Sequence, residues 1–567
     1  MVSFIVCLCS FLLGAAVSAP IGRSPFERSL AWKHATDNEG DIFSDDLCQP
    51  VPAEIVASAN LTAEESSVLW LVCWNRVVTF DDRPLENGLR RGIPDDVECD
   101  RTTWCDDVGV CSEVCSPGTV VISPWLRNAI KSQTSMARTL PLCYAQFLGT
   151  HNSAITLANG YGNRDDYFTK LLSLSSLTSA AIETNNQWFS LTDQLNMGAR
   201  MLELDVHWVK SHLRIAHCGG LHSSVLDDII KAINVISRLL GKSSIMWDTE
   251  TFGCSPSLSS IAADDQRLFV DAISEIHAWL WQAENLDEFI IIYLDSQLDL
   301  LNWDKLDDLL AEVLAVFPRH VIFTPEDKAK FFDREWPTAN QLVANGKRVM
   351  FVNRQSFNED LHRYFFRAGD DGMCGWSEAE VRECFLDRHF QTCQPAMNGT
   401  LVRVETCELT YGPLNCEMEF GRNEIPLNKG TLPKILNCGI NFPSPDRLTP
   451  QRAAAAIWSW ASGEPQTTPG ARENECAFIS ADDGRWKAGL CSRINQTPVS
   501  CWKTAHNRSN WSVGFEGVCL DGSKPGSPRH AKENEKLHQL LKETGLESMA
   551  LGGEVAGLLG TEAVVEQ

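Results

Sequence analysis

The chain has 567 residues, with 49 Lys and Arg against 74 Asp and Glu and a formal charge of −25. Its 44% hydrophobic and 22% charged content is that of a globular protein, which excludes disorder as the main state. The acidic balance argues against nucleic acid as a partner, since phosphate contacts need clustered Lys and Arg. In chain order, the apolar run Phe4–Leu13 followed by the small residues of GAAVSA reads as a secretory signal over residues 1–19. No later segment is long and apolar enough to span a bilayer. Residues 20–140 carry six cysteines (Cys48, Cys73, Cys99, Cys105, Cys111 and Cys115) and read as a disulfide-stapled lobe. The spacing of Cys105, Cys111 and Cys115 is wrong for a zinc knuckle. Five sequons, at Asn60, Asn398, Asn495, Asn507 and Asn510, agree with a secreted glycoprotein.

Between residues 141 and 465 the rhythm changes. Aliphatic runs at Ala145–Leu148, Met201–Val206, Leu213–Ala216, Glu288–Leu294, His320–Phe323, Arg348–Val352 and Ile435–Phe442 predict strands. Apolar residues at three- and four-residue spacing predict helices over Val225–Leu240, Asp264–Ala283, Trp303–Val316 and Thr449–Ala461. Such alternation implies an α/β fold with a parallel sheet, either a β/α barrel or a doubly wound sheet. Residues 466–525 form a second cysteine-rich region with Cys476, Cys491, Cys501 and Cys519, and residues 526–567 read as a loosely ordered acidic tail.

Polar residues collect where the predicted strands end. The first strand runs into Gly149-Thr150-His151-Asn152-Ser153, the second carries Glu203, Asp205 and His207, and the third ends in Ala216-His217-Cys218. The fourth is apolar until Asp295. In a barrel the C-terminal strand ends share one mouth, where active sites sit. Two histidines suit phosphodiester cleavage, one taking the proton of the attacking hydroxyl and one protonating the leaving oxygen. Asn152, Glu203, Asp205 and Asp295 offer hard oxygen ligands, matching calcium or magnesium and not zinc. His207 is expected to sit behind these ligands, and Lys347 and Arg348 are candidates either to reach a phosphate or to begin a solvated strand.

The motifs GTHNS, GARMLELDVHW, RIAHCGG and FIIIYLD, in that order, resemble the X-box barrel of phosphatidylinositol-specific phospholipases C and related phosphodiesterases. The resemblance implies a TIM-type β/α barrel over residues 141–465. It implies His151 as general base or phosphorane stabiliser, His217 as general acid, and Asn152, Glu203, Asp205 and Asp295 as calcium ligands. The metal-free bacterial type has Arg where Asp205 stands, so the resemblance points to the metal-dependent kind. The substrate would be phosphatidylinositol or a related phosphodiester at a membrane surface, cleaved by a secreted monomer. GARMLELD also fits glycerophosphodiester phosphodiesterases and sphingomyelinase-D-like barrels, and a non-catalytic surface-binding barrel is a third reading. Cys476 to Cys501 resembles the closing half of a C-type-lectin-like fold, which implies a possible glycan contact through the tail.

Overall fold

The structure is a computed structural model. It describes residues 92–106, 109–163, 165, 184–209, 211–216, 261, 264–295, 299–332, 336–353, 358–368, 376–378, 401–405, 410–411, 414–415, 427–465, 475–503, 511–520 and 522–552. The signal segment, the first 72 or so residues of the expected N-terminal lobe and the expected helix Val225–Leu240 lie outside these residues.

The described part of the lobe is a hairpin, β1 (Arg101–Cys105) against β2 (Cys111–Cys115), in antiparallel register. Cys105 faces Cys111 in that register and the two are bridged, while Cys99 bridges Cys115. All three cysteines of the doubtful knuckle are therefore disulfide-bonded. Helix α1 (Pro124–Ala137) follows, with Ser123 capping it by accepting from the Leu126 N–H and Pro at its first turn. A buried carboxylate fastens the lobe: Asp193 accepts from the Gly118 and Val120 N–H groups at 3.0 Å each, beside helix α2 (Leu191–Asn196).

Five strands then line up in parallel and in chain order: β3 (Leu148–Thr150), β4 (Ala199–Leu204), β7 (Ile290–Leu294), β9 (Val349–Asn353) and β10 (Phe366–Arg367), with β8 (Ile322–Phe323) also beside β9. A second parallel set continues the order, β11 (Trp376–Glu378), β12 (Leu401–Glu405) and β15 (Phe442–Ser444). A two-residue pair, β13 (Thr410–Tyr411) and β14 (Leu414–Asn415), lies between β12 and β15 in the chain. Strand β15 returns beside β3, where the Phe147 N–H donates to the Asn441 carbonyl at 2.9 Å. The approach is close enough that a Cβ at Gly149 would meet Ser444 Oγ at 2.5 Å, so glycine is required there. Every residue of β4, β7 and β9 is buried, as expected of parallel strands covered on both faces.

The helices supply that cover. Helix α3 (Phe269–Leu280) buries Phe269, Ala272, Ile273, Ile276, Trp279 and Leu280, one apolar stripe at three- and four-residue spacing. Helix α4 (Leu306–Val316) buries Leu306, Leu309 and Val313 in the same way. Helices α5 (Pro325–Phe331) and α6 (Ala339–Ala344) each start in a capping box, Thr324 with Asp327 and Thr338 with Gln341.

Three expectations change. The run Ile435–Phe442 is not one strand: Leu432–Cys438 forms helix α7, and only Phe442–Ser444 is extended. Pro433 starts that helix and Gly439, at φ 90°, ends it in the left-handed conformation. The segment Met201–Val206 is likewise interrupted at Asp205. From there Val206–Val209 (β5) turns back on His212–Ile215 (β6) in an antiparallel hairpin, so the expected third strand is a hairpin arm and not a member of the parallel set.

The third change is at the C-terminus. Residues 526–552, expected to be loosely ordered, form helix α9 (Ala531–Glu543), numbered after α8 (Pro450–Ala455), and strand β21 (Ser548–Ala550). Strand β21 lies at the centre of a sheet with β16 (Glu475–Ser480), β17 (Trp486–Leu490), β18 (Val499–Trp502) and β19 (Trp511–Gly514), with β20 (Lys524–Pro525) beside β18. Disulfides Cys476–Cys491 and Cys501–Cys519 staple this sheet. Trp486 is fully buried between Trp458 and Trp460, with ring centroids 5.5 and 5.7 Å away, and donates to Asn534 at 2.8 Å. The tail region is thus packed against the Trp458–Trp460 segment that follows α8. Among the described residues no helix is long and apolar enough to cross a membrane.

Candidate functional site

The site forms where β3, β4 and β15 end together. Beyond Thr150 the chain turns sharply, and Asn152 takes φ 41°, a left-handed conformation that Asn tolerates better than most residues. Thr150 and Ser153 hold this turn: their hydroxyls are 2.7 Å apart, Ser153 Oγ accepts from the Glu203 N–H at 2.9 Å, and the Ser153 N–H donates to the Glu203 carbonyl at 2.8 Å. The motif GTHNS therefore presents His151 and Asn152 directly over β4.

His151 is held from one side. Its Nδ1 lies 2.9 Å from Oδ1 of Asp446, a fully buried carboxylate two residues past β15. A carboxylate only accepts, so Nδ1 carries a proton, and in the neutral ring Nε2 presents its lone pair. That Nε2 stands 4.0 Å from Glu203 Oε2. Asn186 donates to the same Asp446 oxygen at 3.0 Å. Gln187 clamps both strand ends, donating to the His151 carbonyl at 2.8 Å and the Pro445 carbonyl at 3.1 Å while accepting from the Leu448 N–H. The imidazole is fixed in tautomer and direction by residues from three separate segments.

Glu203 is buried and answers a buried cation: the Arg403 guanidinium, projecting from β12, donates to Oε2 and lies 4.8 Å from the centroid of the Tyr293 ring. The Asn152 N–H also donates to Oε2, at 3.1 Å. With its carboxamide turned to donate, Asn152 reaches both oxygens of Asp205, at 2.8 and 3.0 Å. Asp295, half-buried after β7, donates its N–H to the Leu204 carbonyl at 3.1 Å. His207 is buried on the β5–β6 hairpin, opposite Arg214. His217 lies outside the described residues, as do Cys218, His222 and Glu250. The chain leading to it is placed, since the Ala216 N–H donates to the Asp205 carbonyl at 3.0 Å.

The set expected to hold calcium is thus engaged within itself. Glu203 faces a guanidinium and an N–H, so its Oε2 as arranged is taken by Arg403 and not open to a divalent cation, while both Asp205 oxygens lie against the Asn152 carboxamide. Among the described residues no three His, Cys, Asp or Glu side chains are grouped to hold one. Lys347 and Arg348 are placed at the other end of the strands. Lys347 pairs with Asp327 at 2.8 Å, and Arg348 donates to the carbonyls of Glu288, Leu280 and Asn285, so neither reaches the mouth.

Asp446, Asn186 and Arg403 are absent from the sequence-based set. Asp446 follows the last strand as Asp295 follows β7, and the same strand-end rule finds it once Phe442–Ser444 is known to be that strand. Arg403 stands between two valines in the strand LVRVE, and a buried charge there calls for a buried partner. Asn186 lies in the long insertion between GTHNS and β4 and carries no signal.

No family model matches the chain. Two uncharacterized proteins of Mycobacterium tuberculosis, from strains CDC 1551 / Oshkosh and H37Rv, are each 24% identical to it over 456 residues, covering 75% of this chain and 79% of each relative. The likeness is longer than the span 141–465, so it takes in flanking regions as well as the parallel strands.

Proposed function

We propose that this protein is a secreted phosphoric diester hydrolase of the phospholipase C type, built on a β/α barrel. The observation that carries the reading is the Asp446–His151 pair at the C-terminal strand ends, which aims one imidazole nitrogen beside the buried Glu203–Arg403 pair. The barrel is supported by the reach of Arg403. Strands β12 and β4 are separated by β15 and β3, a gap of about 14 Å in a flat sheet at ~4.8 Å per strand. Side chains stand roughly perpendicular to a sheet, so Arg403 meets Glu203 and Tyr293 only if the strands curve around a common interior. Parallel strands that follow chain order, with helices between several of them and polar residues at their C-terminal ends, are what a β/α barrel enzyme would have.

In this reading His151 Nε2 takes the proton of the attacking hydroxyl while Asp446 stabilises the imidazolium that forms. His217, the residue after Ala216, whose N–H donates to the Asp205 carbonyl, would give a proton to the leaving alkoxide. No step is assigned to a metal ion. Secretion is supported by the disulfides of both flanking regions, which persist in oxidising compartments. A panel of phosphatidylinositol, other phospholipids and glycerophosphodiesters, incubated with the full chain and analysed by mass spectrometry, tests the proposal. Diacylglycerol with a cyclic or monophosphate head group is expected. Phosphatidic or lysophosphatidic-type products would move the assignment to the sphingomyelinase-D-like barrels, and turnover of none of the panel would overturn it.

A further inference from the structure

We propose that Arg403 is the resident cation of this site, occupying Glu203 so that this carboxylate of the mouth holds a guanidinium and not calcium or magnesium. Three independent features of the geometry carry this. First, Arg403 and Glu203 are both buried, and a buried carboxylate requires a compensating charge. Arg403 supplies it, and its guanidinium is held in place over the Tyr293 ring at 4.8 Å. Glu203 and Tyr293 sit side by side in the register of β4 and β7, so the two contacts together fix where the charge lies.

Second, the Glu203 oxygen that meets Arg403 also accepts from the Asn152 N–H at 3.1 Å. A metal site needs lone pairs directed at one point, whereas N–H groups are directed at this oxygen. Third, the left-handed backbone of Asn152 and the Thr150–Ser153 contacts lock that N–H toward Glu203, so the arrangement belongs to the fold of the turn and not to one mobile side chain. A divalent ion entering here would lie beside Arg403 and be repelled by it. Arg403 touches Glu203 and not the reacting atoms, so it is a positioning residue.

Only the activity arm of the test rests on the phosphodiesterase reading. Thermal denaturation of the full chain, with and without millimolar calcium or magnesium, is compared for the wild type, Glu203→Gln, Arg403→Lys and Arg403→Gln. The wild type, Glu203→Gln and Arg403→Lys are expected to respond identically to the cations, whereas Arg403→Gln gains a calcium-dependent stabilisation. A calcium shift present in the wild type and lost in Glu203→Gln overturns the proposal, and that comparison stands even if Arg403→Gln does not fold. Where a phosphodiester is turned over, its rate should change less than twofold in a chelator. A tenfold loss restored by calcium overturns the proposal as well. Absence of any turnover would count against the phosphodiesterase reading alone, because the thermal comparison needs no substrate.

Discussion

The two ends of the parallel strands use the same side chains for opposite purposes. At the N-terminal ends, Arg200 holds Glu288 by two parallel hydrogen bonds of 2.9 and 2.8 Å, Arg138 reaches Asp287 and Glu288, and Arg348 satisfies three carbonyls. Lys347 and Arg319 close on Asp327 nearby. These contacts pair each of the three carboxylates with a cation. At the C-terminal ends, Asp446 answers only one nitrogen of His151, and the other faces Glu203 across 4.0 Å. The lesson is that buried charge marks neither stability nor function by itself. What separates the two ends is whether the geometry closes the charges on one another or orients one group toward the mouth.

Substitutions can break this contrast. The largest effect is expected for His151→Ala, which should lower turnover of the identified phosphodiester by about 10³-fold, the scale of a lost general base, while leaving the chemical-denaturation midpoint nearly unchanged. Glu288→Gln should do the reverse. Removing one member of a buried pair leaves Arg200 uncompensated and costs about 3–5 kcal/mol of stability; turnover per folded molecule should stay at the wild-type level. If Glu288→Gln abolished activity in folded protein, the division between the two ends would fail.

Asp446→Asn is the finer test at the mouth. It keeps the shape but loses the negative charge that stabilises the His151 imidazolium and the certainty that an acceptor faces Nδ1, and a loss of about 10- to 100-fold in kcat with little change in KM is expected. An unchanged kcat would remove Asp446 from the mechanism. The smallest effect concerns acid. Burial alone would push the Glu288 carboxyl up, but the Arg200 guanidinium, by charge and hydrogen bonding, and then Arg138 hold it below its ordinary 4.5. A carboxyl depressed on folding contributes stability that is complete above 4.5 and is lost as pH falls through its folded value. Denaturation curves from pH 7 to pH 3 should therefore show the wild type losing more stability below pH 4.5 than Glu288→Gln, and equal losses would assign acid sensitivity elsewhere.

Much of this was legible in the chain itself. The run IIIYL can hardly be anything but a strand buried on both faces, and the stripe of α3 follows from its spacing. His151 and Asn152 stood out because polar residues end an apolar run, a local pattern. The helix Leu432–Cys438 was harder, since Ile435, Leu436 and Ile440 satisfy a strand and a helix alike and only Pro433 and Gly439 break the tie. The folded C-terminus escaped because α9 is polar where it is buried. Asn534 bonds Trp486, Gly484 and Trp458, and His538 donates to the Ala481 carbonyl at 2.9 Å, partners that hydropathy does not count.

The sequence by itself determined the central strands β3, β4, β7, β8 and β9, the helices α3 and α4, the cysteine-rich flanks, and the candidacy of His151, Asn152, Glu203 and Asp205, because each depends on spacing along a few residues. Only the tertiary structure decided which groups those residues face. Asp446 lies 295 positions from His151 and Arg403 lies 200 from Glu203, and no local pattern specifies a partner at that distance. The acidity from which the composition excluded nucleic acid now has a local counterpart: at the mouth, one of its carboxylates is answered from within by Arg403.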